Sequence, residues 1–280
     1  MTSRQFPQKV SVFQESRLPE AAIPVGYAAL IDAYSLEVPR PRVLCAIGGR
    51  HKNYDAGSWR IFGPSYAPPA TLEGHLTFAL KNEGLDLCAL KRLFEVVDRE
   101  NLASDIRAKP TSGYMRRIWF LYEWLIGEPL NLPDAKPVSY ANVVDTKLQW
   151  GVRGVTSKRH RVRNNLPGTP AFCPLAFRTE KLVRFVEGNL SERARAVIGR
   201  ISSGVLARTA AFLLLKDSRS SYAIEGEAPP HNRIQRWGRA IGEAGKNRLD
   251  LDEFLRLQRI VIGDARLVDM GLRTEGGFVG

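Results

Sequence analysis

A carboxylate held at the end of a helix is the sharpest chemical feature of this chain. Ser220-Ser221-Tyr222-Ala223-Ile224-Glu225-Gly226-Glu227 follows the largely apolar run 205–215. Ser221 and Glu225 are four residues apart, which puts both on one face of a helix. Gly226 stands where a helix would turn into a left-handed residue, so Glu225 is expected on the last turn. A carboxylate there meets the negative end of the helix dipole and needs a cationic partner.

The second chemical feature is basic. Lys158-Arg159-His160-Arg161-Val162-Arg163-Asn164-Asn165 carries the residue types that grip phosphates and base edges. Its two readings are a nucleic-acid or partner contact through Lys158, Arg159, Arg161 and Arg163, and a structural arginine network. The surrounding stretch 147–200 holds twelve Lys and Arg against three Glu, most of the local excess in a chain of net charge +12. Such a patch attracts polyanions or acidic protein surfaces.

Other candidate chemistry falls away. Gly238–Lys246 is phosphate-loop-like, but Ala240 stands where the first glycine is needed and Asn247 where Ser or Thr would hold Mg²⁺. The histidines (His51, His75, His160, His231) lack metal-ligand spacing, so no metal site is expected. Cys45, Cys88 and Cys173 are odd in number and widely spaced, and are expected as reduced, mostly buried thiols of a cytoplasmic protein. No stretch has the roughly 18 apolar residues of a membrane span, so no membrane partner is expected.

The elements that must position these residues are mostly helical. Residues 1–20 are polar and aperiodic and are expected as a loose arm. Leu87, Leu90, Leu93, Phe94 and Val97 have helical spacing, and Met115 to Ile126 predicts a strongly apolar helix ended by Gly127. Pro, Gly and Asn between 129 and 174 predict loops with short strands near 138–144 and 151–155. Further helices are expected from Leu182 to Gly188, from Ser191 to Leu215 with a break near Ser202-Ser203-Gly204, and from Asn232 to Glu243. A last helix, capped by Asp250 or Asp252, should bury Leu251, Phe254, Leu255, Leu257, Ile260 and Val261. The expected fold is mainly α (α+β), with an irregular N-terminal region over 1–175 and a helical region over 176–280.

Ser221 to Gly226 resembles the inhibitory motif of Fic proteins, (Ser/Thr)-x-x-x-Glu-(Gly/Asn). Gly271-Leu272-Arg273-Thr274-Glu275-Gly276-Gly277-Phe278-Val279-Gly280 resembles the segment leading into the Fic flap, with Leu272 where the family often has an aromatic residue. The stretches 119–125 and 159–169 look like the N-terminal region of large bacterial Fic proteins. The resemblance implies a protein adenylyltransferase, which moves AMP from ATP to a protein hydroxyl with Mg²⁺. It implies that Ser221, Glu225 and Gly226 are inhibitory and that Arg273, Thr274 and Gly277 shape the approach to the flap. The family's His-x-Phe-x-(Asp/Glu)-Gly-Asn-Gly-Arg-x-x-Arg motif is not found in the 280 residues. In family order it follows Gly280, so the chain is expected to be a truncated Fic core with no catalytic residue, inactive alone and binding ATP and Mg²⁺ poorly. The implied partners are a protein substrate or a separate Fic catalytic core. Two alternatives have other chemistry: an antitoxin-like module acting on such a core, and a basic nucleic-acid-binding protein using 147–200.

Overall fold

The computed structural model describes residues 6–13, 15–199, 203–224, 226, 231–243, 245–262 and 271–272. The architecture is mainly α with two small mixed sheets, an α+β fold. The chain divides into two compact units, Met1–Arg184 and Phe185–Gly280.

The first unit opens with a β-hairpin where a loose arm was expected. Strands β1 (Val10–Phe13) and β2 (Ser16–Val25) pair antiparallel. Burial of Phe13, Leu18, Ala22 and Val25 ties the hairpin to the rest of the sheet. β2 pairs antiparallel with β3 (Leu44–Ile47), β3 pairs parallel with β5 (Trp59–Phe62), and β4 (Tyr54–Ala56) closes the edge on β5. Between β2 and β3 lies the short helix α1 (Tyr27–Ala33).

The helices follow their capping signals. α2 (Leu72–Asn82), α3 (Leu87–Val96), α4 (Arg99–Ala108) and α5 (Gly113–Ile126) start at Thr71, Asp86, Asp98 and Ser112, whose side-chain oxygens each accept an N–H of the first turn. Gly127, at φ +80°, ends α5. Leu76, Leu80, Leu90, Leu93, Met115, Ile118 and Leu121 form the largest core, with α5 at its centre. A second sheet, smaller than expected for 138–155, contains β6 (Ala141–Asn142), β7 (Val155–Ser157) and β8 (Val162–Asn164) in the order β6-β8-β7. The Pro- and Gly-rich composition keeps these strands at two or three residues.

One loop is locked to the core by a side-chain amide. The buried Gln149 accepts the Leu85 N–H (2.7 Å) and donates to the Leu85 carbonyl (2.9 Å), which imitates one rung of a strand pair. The chain then pairs across to 176–178, with Trp150 N–H donating to Ala176 (2.8 Å) and Arg178 N–H to Leu148 (2.9 Å).

The second unit is helical: the end of α6 (Glu180–Glu187), then α7 (Leu190–Ile198), α8 (Ser203–Ile224), α9 (His231–Glu243) and α10 (Leu251–Ile262). α8 ends nine residues beyond the expected Leu215. Asp250 is the cap of α10, accepting the Glu253 N–H at 3.0 Å. The apolar face of α10 departs from expectation: Leu251 and Phe254 are exposed and only Glu253 is buried. Arg256 holds Glu253 (2.7 Å) and Glu243 (2.7 Å), which engages the Glu253 carboxylate, while Phe254, Leu257 and Val261 line an apolar groove with Trp237, Ala240 and Ile241 of α9. The thiols also differ from expectation. Cys45 is buried and Cys173 half-buried, but Cys88 is exposed because it occupies the outer face of α3.

Candidate functional site

The carboxyl end of α8 is built from local rules. Ile224 is its last residue, and Gly226 follows at φ +69° with its N–H donating to the Ala223 carbonyl (3.1 Å). No atom lies within 4 Å of where a Gly226 Cβ would sit, so the backbone angle alone calls for glycine here. Ser221 is exposed, and its hydroxyl donates back to the Asp217 carbonyl (3.1 Å) one turn earlier. Tyr222 turns inward and meets the Trp237 ring edge-on at 6.2 Å, with the Arg233 guanidinium 5.2 Å from its centroid. These contacts fix the last turn of α8 against α9. Glu225, Arg273, Thr274 and Gly277 lie outside the described residues.

The basic segment forms the β7–β8 hairpin, and its four cations separate into two kinds. Arg159 is an internal anchor. Its Nη2 and Nε donate to the two oxygens of Glu123 (2.9 and 3.1 Å), its Nη1 donates to Asp134 (3.3 Å), and it lies 4.9 Å from the Trp119 centroid. Arg161 stacks on Tyr140 at 5.3 Å. Lys158 and Arg163 present exposed charge. The spacing of these residues in the sequence does not distinguish the two kinds, because the distinction depends on Glu123, which lies on α5.

Glu123 is the residue that sequence reasoning missed. It also accepts the Trp119 indole N–H (2.6 Å) and the Leu130 N–H (2.9 Å) and faces His160 Nε2 at 2.9 Å. Burial raises its pKa, but the bonds from Arg159, Trp119 and Leu130 prevail and hold it at about 2. Burial lowers the His160 pKa against the pull of Glu123. A neutral His160 beside an ionised Glu123 donates from Nε2, so Nδ1 accepts the Ser157 hydroxyl at 2.7 Å. This Ser–His–Glu chain fastens the hairpin to α5. With every Glu123 oxygen engaged and Trp119 and Phe120 packed on the imidazole, its geometry is that of an anchor.

Among the described residues, no group of three or more His, Cys, Asp or Glu could hold a metal ion, and no helix is long and apolar enough to cross a membrane. Against known proteins, the chain matches no family model, no curated protein and no solved structure. Function therefore has to be read from residue chemistry.

Proposed function

We propose that these 280 residues form a regulatory part of Fic-type AMP transfer, with Glu225 as the restraining carboxylate. One observation carries the reading: α8 closes one turn after Ser221 on a left-handed Gly226, and two further helices, α9 and α10, separate that point from Gly271. This is the order in which the inhibitory helix and the flap-proximal segment stand in the family that the sequence resembles. Ser221, bonded along its own helix, serves the last turn of α8. A carboxylate beyond that turn takes the arginine that would otherwise bind the γ-phosphate, so nucleotide binds unproductively.

The residues that would hold ATP and Mg²⁺ in that family belong to the His-to-Arg motif, which is not found in this sequence. The described residues also offer no metal cluster, so no step through nucleotide or metal is assigned to these side chains. The partner is a Fic core carrying that motif, and the substrate is a protein hydroxyl on its target.

By itself the chain should transfer no AMP. Incubation with labelled ATP and a cell lysate checks this, and labelling that depends on the chain would overturn it. The restraint is tested by adding the chain to, or joining it with, a motif-bearing Fic core. Glu225→Gly should raise AMP transfer at least about tenfold, corresponding to about 1.4 kcal/mol of lost competition. Equal rates for the two forms would remove the proposal.

A further inference from the structure

The first unit contains a cavity of about 360 Å³ that the regulatory reading does not use. One wall is the paired segment around Leu148 and Phe177, which also carries Lys147 and Arg178. β3 and β5 contribute Cys45 and Arg60 to the lining. The floor is the junction of α1 and α2, where Tyr27 and Glu83 meet.

Its charges are unevenly matched. Arg60 is neutralised by a fork of hydrogen bonds to Asp55 (2.8 and 3.3 Å). Arg178 donates to the Thr146 carbonyl (2.9 Å) and stacks 3.9 Å from the Trp150 centroid, which orients a guanidinium without neutralising it. Arg42 lies 6.0 Å from the Phe177 centroid. Among the described residues no carboxylate pairs with Arg42, Lys147 or Arg178. On the acidic side, Asp86 is engaged as the cap of α3, accepting the Ala89 N–H at 3.0 Å. Glu83 accepts the Tyr27 N–H (3.3 Å), and burial pushes its carboxyl up to about 8, so it is mostly protonated at neutral pH. Three cations without a carboxylate partner thus line a cavity whose walls also include Val43, Leu85, Leu148 and Phe177.

We infer that this cavity binds a small phosphate monoester, its doubly charged head at the Arg42–Lys147–Arg178 rim and its apolar or aromatic body against Leu148 and Phe177. A dianion suits the rim because a monoanion would leave most of its positive charge unmatched, and guanidinium groups bind phosphate through paired N–H donors. The volume lies at the small end of ligand pockets, which limits the body to about one ring.

The test is calorimetric titration of the full chain with three probes: phenyl phosphate, inorganic phosphate and benzoate. Phenyl phosphate should bind saturably and at least about tenfold more tightly than either other probe. Arg178→Gln and Arg42→Gln should each weaken it by about tenfold, and Leu148→Trp, which fills the cavity, should abolish binding. Arg42 donates no hydrogen bond to the wall among the described residues, so its variant separates lost contact from lost fold; circular dichroism melts confirm this. Benzoate binding as tightly as phenyl phosphate would overturn the phosphate assignment. Inorganic phosphate binding equally well would overturn the apolar body. Phenyl phosphate binding that survives Leu148→Trp, or no saturable heat at millimolar concentration, would overturn the site.

Discussion

Glu83 makes the stability of the first unit depend on pH. Burial, opposed by the Tyr27 N–H and the Cys45 thiol, holds its folded pKa near 8, against an ordinary value of 4.5. The folded state then keeps a proton that the unfolded chain has lost, so this contribution is full below pH 4.5 and disappears as pH rises through 8. The loss should be on the order of a few kcal/mol, and Glu83→Gln should flatten it in urea titrations at pH 5, 7 and 9. Asp86, Tyr27, Cys45 and Arg60 surround the group and do not reverse that sign. His75 has the opposite sense. Its buried Nδ1 accepts the Gly26 N–H, burial lowers it to about 4, and stability present above 6.5 is lost as pH falls through 4. Glu123→Ala should cost about 2–3 kcal/mol by chemical denaturation, less than a fully buried pair because the Arg159 side chain is 31 % exposed. By contrast, Ser221→Ala should change stability by no more than about 0.5 kcal/mol, since its one bond is to its own exposed helix.

Element boundaries rest on a few backbone positions. Gly26 precedes α1 at φ +63°, and a Cβ there would lie 1.6 Å from Glu83 Oε1. Gly26→Ala therefore combines a strained angle with displacement of the residue that caps α1, and should destabilise by about 3 kcal/mol or more in thermal melts. Gly226→Ala meets open space and should cost only the left-handed angle, about 1 kcal/mol. Most helices were legible because their apolar spacing and their caps lie within one turn. α5 and α9 begin within two residues of the sequence expectation for that reason. The hairpin of β1 and β2 was not legible: its register depends on Phe13 and Leu18 finding a sheet that β3 and β5 complete from elsewhere in the chain. The burial of Glu253 was equally hidden, because the Arg256 that engages it also reaches Glu243 on another helix.

At the scale of the molecule, the two units differ in how they treat apolar surface. The first encloses its leucines around α5, whereas the second exposes Phe212, Leu213 and Ile224 at 65, 48 and 87 %. The native chain should therefore enhance the fluorescence of a hydrophobic dye, and cleavage between the units should leave that signal with the C-terminal fragment. The sequence by itself determined the α+β class, most helices, the left-handed role of Gly226 and the basic composition of 147–200, since these depend on neighbours one turn away. It also carried the resemblance that names Glu225. Only the tertiary structure decided which cations are spent internally and which face a cavity. Arg159 is held by Glu123, while Arg42, Lys147 and Arg178 line one cavity together with Glu83. The physical reason is that a charge's role depends on its partner and its solvent, and in this chain both come from segments tens of residues away.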